Sequence, residues 1–322
     1  MTNPHTFSSS FINHKTGSLR TMFYNIYGYT WYPDRIGSPH LNTGPIALRQ
    51  EMEAEVIKAY SPDILGLQEY CEDFRKGMSP RLREAGYTEV EVYHSAERPQ
   101  QKRVNFTPLF YCNDRVKLID KGFVMYPETM PDPSKDDGTV LNINDVSSKS
   151  ITWAVFEERN SGKRFIVLCT HFMYSAPWLT KALQEMVRVQ NARILLATVK
   201  EIHSNEQYKG LPVIVGGDLN CCCDSDSFGT LIEGGLEWLY EVAAVKSDSC
   251  GLKEYAIYDE QKGEYVSYSI PGDEPYKSID YLLMMQGSEN NQISVSAYVT
   301  VTDRNALLSS DHCPRFADFT LN

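Results

Sequence analysis

Apolar runs of strand length recur along this chain, and most of them end on a polar residue. Leu211 to Val215 offers almost nothing to water, yet two glycines later the chain reaches Asp218, Leu219 and Asn220. Runs rich in β-branched and aromatic residues predict strands covered on both faces. They occur at Leu19 to Tyr27, Asp63 to Gln68, Thr107 to Cys112, Ile151 to Glu157 and Arg164 to Phe172. Four more lie at Pro212 to Leu219, Ile279 to Met285, Ser294 to Thr302 and Arg315 to Leu321. Helical spacing predicts two long helices. One runs over Pro45 to Tyr60, with Ile46, Met52, Val56 and Tyr60 behind a first-turn proline. The other, Thr180 to Ser204, has a core stripe of Leu183, Met186, Val187, Ile194 and Ile202, with Lys181, Arg188 and Lys200 off it. Tyr126 to Asp145 and Lys246 to Pro275 read as irregular, either lids and specificity elements or plain surface excursions. Many strands with few long helices predict two packed sheets flanked by helices.

No repeat or Gly/Ser linker divides the sequence, so residues 17–322 are expected to form one domain. Residues 1–16 are polar, lack the apolar core of a secretion signal, and read as a disordered or appended N-terminus. No apolar stretch is long enough to span a bilayer. The net charge of −11 argues against a protein built to grip long nucleic acid, whose affinity rests on basic contacts to phosphate. A small phosphorylated substrate stays compatible with it. Eight cysteines in 322 residues are too few for a disulfide scaffold, and none form a zinc-spaced CxxC pair. Cys221, Cys222 and Cys223 are adjacent and cannot readily converge on one ion. They are expected to be reduced and partly buried, which points to a cytoplasmic protein, or to a secreted one had a signal segment been removed. A monomer is expected.

The polar residues at the ends of the runs carry the chemistry. Asn25 sits in "MFYNIYG", Gln68 and Glu69 end "DILGLQEY", and His171 ends "FIVLCTHF". Asp280 heads "SIDYLLM", and Asp311 and His312 precede the last run in "SSDHCPRFADF". Each alone has a bland reading as a cap, a turn or a hydrogen-bonded core group. Strands of one sheet system bring their ends to a common edge, so the groups are expected to converge. Glu69, Asp218, Asp280 and Asp311 would then repel in a partly desolvated pocket. A divalent cation relieves that repulsion, and oxygen donors without converging thiols favour Mg²⁺ or Mn²⁺ over zinc. Asp218 and Asn220, two apart in an extended segment, share a face while Leu219 turns to the core.

In order along the chain, "YNIYGY", "PDILGLQE", "CTHF", "GGDLN", "SIDY" and "SSDHCP" resemble the motifs of the endonuclease/exonuclease/phosphatase superfamily, whose members share the DNase I-like fold. The resemblance spans about Leu19 to Leu321. It implies a four-layer αββα sandwich of two mainly antiparallel sheets flanked by helices. It makes Glu69 the principal metal ligand with Asn25 beside it, and Asp311 a holder of a metal water or a second ion. Asp218 and Asn220 would position the attacking water and touch the phosphate. His312, oriented by Asp280, would be the general base or act on the nucleophile, either it or Asp218 activating the water, and His171 would donate to a phosphoryl oxygen. Three positions depart from the family pattern. Cys169 replaces the asparagine of an Asn-Thr-His motif. Lys149 stands where many bacterial relatives have arginine, losing the bidentate fork. Cys223 replaces a frequent proline.

The implied activity is hydrolysis of a phosphodiester or phosphomonoester on a small phosphorylated substrate. The alternatives are a nuclease acting on single-stranded ends, a catalytically silent binding protein of the same fold, and thiol or soft-metal chemistry at Cys221 to Cys223. Lys149, Tyr27 and Tyr174 are candidate substrate contacts. Tyr29, Trp31, Tyr32 and Trp178 are further aromatics that either stack on a base or sugar or pack the rim.

Overall fold

Side-chain alternation along the strands sorts the residues into layers. In β1 (Leu19–Asn25), Leu19 and Phe23 face the space between two sheets, while Met22 and Tyr24 face helices. In β9 (Arg164–His171), Phe165, Val167 and Cys169 face inward, and Ile166 and Leu168 face outward. This is the period of two expected of a pleated strand with both faces covered. The computed structural model describes residues 19–28, 44–91, 107–143, 149–174, 178–247, 256–267 and 277–322.

One sheet has seven strands in the order β12 (Val245–Lys246), β16 (Ile293–Thr300), β17 (Arg315–Leu321), β1, β2 (Ile64–Gln68), β4 (Leu109–Cys112) and β3 (Tyr87–Glu89). The other has six, ordered β11 (Glu237–Trp238), β15 (Asp280–Met285), β10 (Val213–Asp218), β9, β8 (Ser150–Glu158) and β5 (Val116–Met125). Helices α1 (Ile46–Tyr60), α2 (Glu72–Glu84) and α6 (Arg304–Ser309) cover the first sheet. Helices α3 (Lys181–Ser204) and α4 (Asp226–Glu233) cover the second, and the short α5 (Leu239–Val242) packs at its β11 edge. The expected four-layer sandwich is therefore present, and each of the nine anticipated strands has its counterpart in one of the two sheets.

At one point the sheets approach very closely. A Cβ on Gly216 would lie 2.1 Å from the Phe23 ring, and one on Gly66 would lie 2.4 Å from it. The ring of Phe23 thus occupies the room of two missing side chains, one from each sheet.

Several details differ from the sequence expectation. The buried face of α3 includes Gln184, Arg188 and Asn191, while Met186 is 42% exposed. Arg188 pairs with Glu185 (2.9 Å), whose other oxygen accepts from Ser227 N (2.8 Å) at the start of α4, and Asn191 accepts from Met173 N. That face braces neighbouring loops, so polar residues occupy part of it. The two supposedly irregular regions contain hairpins, β6 (Thr129–Pro131) with β7 (Val140–Asn142), and β13 (Ile257–Asp259) with β14 (Glu264–Ser267). The expected N-terminal segment 1–16 lies outside the described residues, as do Tyr29, Trp31 and Tyr32. Among the described residues no helix is long and apolar enough to cross a membrane.

Candidate active site

Two parallel pairings bring the polar strand ends together. β1 runs parallel to β2, and β9 runs parallel to β10, so Asn25, Gln68, His171 and Asp218 all arrive at one edge. Asp218 stands in register with His171 on one side and with Asp280, the first residue of antiparallel β15, on the other. The segment entering β17 adds Asp311 and His312. Asn25 is the centre of the group. Its Nδ2 donates to Asp218 Oδ2 at 3.0 Å and to Glu69 Oε1 at 3.4 Å, and lies 3.5 Å from His312 Nε2. One amide thereby joins both sheets, and its own Oδ1 is fixed by Tyr27 N at 3.0 Å.

His312 is buried and held from behind. Its Nδ1 lies 2.8 Å from Asp280 Oδ2, while Nε2 lies 3.8 Å from both Asp218 Oδ2 and Asp311 Oδ2. Asp280 is tied in turn to Ser278, whose Oγ accepts from Asp280 N at 3.1 Å, and Arg315 Nη1 donates to Ser278 Oγ and to the Asp280 carbonyl. Burial pushes the His312 pKa down, but the charges of Asp280, Asp311 and Asp218 outweigh it and hold it well above the ordinary value. For Asp218, burial favours the neutral acid, yet His171, His312 and Lys149 prevail and keep it below the usual carboxylate range.

On the other side of Asp218, His171 Nε2 lies 3.2 Å from Asp218 Oδ2 and also contacts the Lys149 ammonium. That nitrogen accepts from Lys149 or donates to Asp218, not both at once. Burial first, then the Lys149 charge, lowers the His171 pKa. Lys149 is itself pushed down to about 8 by burial, against the opposing pull of Glu69 and Asp218. Its Nζ sits 5.8 Å from the centre of the Tyr174 ring, which meets Trp178 edge-on at 6.0 Å.

Strain gathers at the same edge. Tyr27 (φ 47°), Glu69 (φ 61°) and Asn220 (φ 52°) all adopt the left-handed region that costs a side-chain-bearing residue ~1–3 kcal/mol. At Glu69 the turn carries the carboxylate off the end of β2 toward Asn25. At Asn220 it lets the backbone N donate to Asp218 Oδ1 (2.9 Å) and the side chain donate to Phe172 O (3.1 Å), so Asn220 braces Asp218 from the rim. Tyr27 is only 7% exposed, with the Arg49 guanidinium 5.2 Å from its ring. Its ring is thus packed inward, and this candidate substrate contact is not offered to the cleft.

The donors suit a hard divalent cation. Among the described residues Glu69 Oε2 is buried without a hydrogen-bond partner, a costly state for a carboxylate oxygen. Asp218, Asp280 and His312 each present a ligating atom within 4.8 Å of the others. Oxygens dominate the set. Two thiols of the core are committed elsewhere. Cys169 accepts from Gln68 Nε2 at 3.2 Å in the inter-sheet core, and Cys221 packs with Leu219 beneath α4. Burial pushes the Cys221 thiol up to about 11. Sequence reasoning missed Arg49, Ser278, Ser310 and Arg315, which hold the site from behind. The two serines stand within "SIDY" and "SSDHCP", and the two arginines are signalled by charge on otherwise buried runs.

The four layers define the fold: the chain is built as a DNase I-like sandwich, the fold of solved endonuclease/exonuclease/phosphatase proteins. No family model and no curated protein matches the sequence. Solved structures do match the fold along its length. An endonuclease/exonuclease/phosphatase from Bacteroides vulgatus superimposes with a TM-score of 0.64 at 22% identity, covering 95% of this chain and 99% of that one. The mannosyl-6-phosphatase of Bacteroides thetaiotaomicron gives 0.64 at 19% identity, covering 94% and 99%. D. rerio TDP2, solved with a single-stranded DNA product, gives 0.59 at 16% identity, again covering 94% and 99%.

Proposed function

We propose that the protein is a divalent-metal-dependent hydrolase of phosphoester bonds acting on a small phosphorylated substrate. The observation that carries this reading is the Asn25 amide bound to both Glu69 and Asp218 beside His312, with one Glu69 oxygen buried and unmatched among the described residues. Glu69, with Asn25 and Asp311 beside it, would hold Mg²⁺ or Mn²⁺, which when bound stabilises negative charge on the phosphoryl oxygens. Lys149 and His171 supply fixed positive charge and a donor on the opposite flank, where charge grows in the transition state. Lys149 does this as a point charge, without the planar fork of arginine. Asp218 and His312 are the two groups placed to take the proton of an attacking water; His312, held protonated by its carboxylate neighbours, would do so only where a bound cation's charge offsets them. Asp280 holds the His312 tautomer so that Nε2 faces the centre. Asn220 keeps Asp218 in place.

The rim favours a small substrate with a ring near its phosphate. Tyr174 stands beside Lys149, and Trp178 beyond it is 51% exposed, leaving an indole face for stacking. The net charge of −11 disfavours a long polyanion. The same reading treats residues 17–322 as one monomeric catalytic domain, and the free buried thiols fit a reducing compartment. The test is a panel of phosphorylated sugars, nucleotides, inositol phosphates and short single-stranded oligonucleotides, each with Mg²⁺, Mn²⁺ or EDTA. Metal-dependent turnover confined to small phosphoesters is expected. Turnover of oligonucleotide ends alone would make it a nuclease, and no turnover of any member would remove the hydrolase reading.

A further inference from the structure

We propose that Arg49 is a positioning residue that sets the orientation of both Asn25 and His312; the inference rests on the hydrolase reading above. Arg49 lies on the buried side of α1 and is 2% exposed. A guanidinium removed from water is costly unless its donors are met. Here they are met by backbone carbonyls of two separate segments that flank the site. Nη2 donates to Ile26 O (2.7 Å) and Tyr27 O, just after β1, and Nε donates to Ser309 O (2.7 Å), at the end of α6. Tyr27 and Phe74 hold the planar head between them, with ring centroids 5.2 and 5.0 Å away, and Glu53 lies 3.7 Å from Nη2.

Both segments lead directly to site residues. Holding Ile26 and Tyr27 maintains the left-handed turn at Tyr27, which aims its N–H at Asn25 Oδ1. That bond fixes the amide so that Nδ2 points at Glu69 and Asp218. On the second segment, Ser310 follows Ser309. Its Oγ donates to Asn25 O at 2.6 Å and accepts from His312 N at 3.1 Å. One guanidinium therefore fastens the end of β1 to the segment carrying Asp311 and His312. A lysine ammonium has no planar fork to meet carbonyls of both segments at once.

The test compares Arg49→Lys, Asn25→Ala, their double variant, and Arg20→Lys as a control for loss of a buried arginine far from the site. kcat and KM are measured on a phosphoester that the parent turns over. The rise in melting temperature with added Mn²⁺ is measured on every variant, independently of activity. Arg49→Lys is expected to lower kcat about 100-fold, the scale of a misplacement near 1 Å, with little change in KM. It should also shrink the Mn²⁺-induced shift. In the Asn25→Ala background the same change should cost less, because the route through Tyr27 to the Asn25 amide has been removed while the one through Ser310 to His312 remains. Arg20→Lys should lower the melting temperature and leave kcat and the Mn²⁺ shift intact. Equal kcat losses and equal Mn²⁺ shifts for Arg49→Lys and Arg20→Lys, or fully multiplicative effects with Asn25→Ala, would overturn the proposal. Should Arg49→Lys fail to fold, Ser310→Ala breaks the same link with a smaller change, and parent-level kcat there would also overturn it. An inactive parent would count against the hydrolase reading alone, leaving the Mn²⁺ shift to decide the role of Arg49.

Discussion

The two ends of β1 carry the same kinds of residue and use them in opposite ways. At the first end, Arg20 meets Asp318 through two bonds (2.6 and 2.8 Å), donates to Tyr60 O, and lies 4.1 Å from the centre of the Phe316 ring. Asp63 accepts from Arg20 N and from Arg115 Nε. Charge there is balanced, two arginines against two aspartates. At the other end, five residues on, Asn25 donates to Glu69 and Asp218, and His312 beside it meets Asp280 and Asp311; among the described residues these four carboxylates stand against Lys149, Arg315 and two histidines. Balanced buried charge closes on itself and serves the fold. A surplus of one sign, with a carboxylate oxygen left bare among the described residues, is a standing cost that a bound cation relieves.

That contrast is breakable by substitution. The largest expected effect is from His312→Ala, which should lower hydrolysis about 100- to 10,000-fold and, since it removes a buried group held charged among three carboxylates, lower the melting temperature as well. Turnover of bis-p-nitrophenyl phosphate at the parental rate would put His312 outside the chemistry. Glu69→Gln should move the Mg²⁺ activation curve to at least about tenfold higher concentration, and an unaltered curve would remove it as a ligand. Asp318→Ala at the balanced end leaves a buried guanidinium without its main partner and should cost about 3–5 kcal/mol of stability, read by urea unfolding. Its kcat on any accepted phosphoester should match the parent. Parity of stability would show that the two ends differ less than their charges suggest. The smallest effect concerns the thiols. With Cys221 pushed up to about 11 by burial, it stays protonated at neutral pH. Iodoacetamide at pH 7 should therefore leave turnover intact where EDTA abolishes it, and alkylation of Cys221 should accelerate only as pH approaches that value. The opposite sensitivity would favour thiol chemistry.

Strands buried on both faces were readable because nothing interrupts them, and β10 or β9 show this well. β5 was not, since it is an edge strand whose Lys117, Asp120 and Lys121 interleave with half-buried residues. Gly77 and Pro80 disguised α2, though Pro80 sits within it without ending it. Among site residues, those at strand ends were legible because a polar group closing an apolar run needs a reason. The supporting groups were not. Arg49 and Arg188 occupy buried helix faces, where helical spacing alone counts a charged residue as solvent-facing. Tyr27 shows the converse: beside the polar end of β1 an aromatic reads as a substrate contact, whereas its buried ring lies against the Arg49 guanidinium.

The glycine pair flanking Phe23 has one more consequence. Asn25 belongs to one sheet and Asp218 to the other, and both follow the ring by two residues, Asp218 counted from Gly216. The thickness of a single benzene ring therefore gauges the gap their hydrogen bond must cross. Trimming Phe23 would let the two leaves settle together and wedging in an indole would part them, so the active centre's width is calibrated from inside the core, by an atom set that no substrate ever meets.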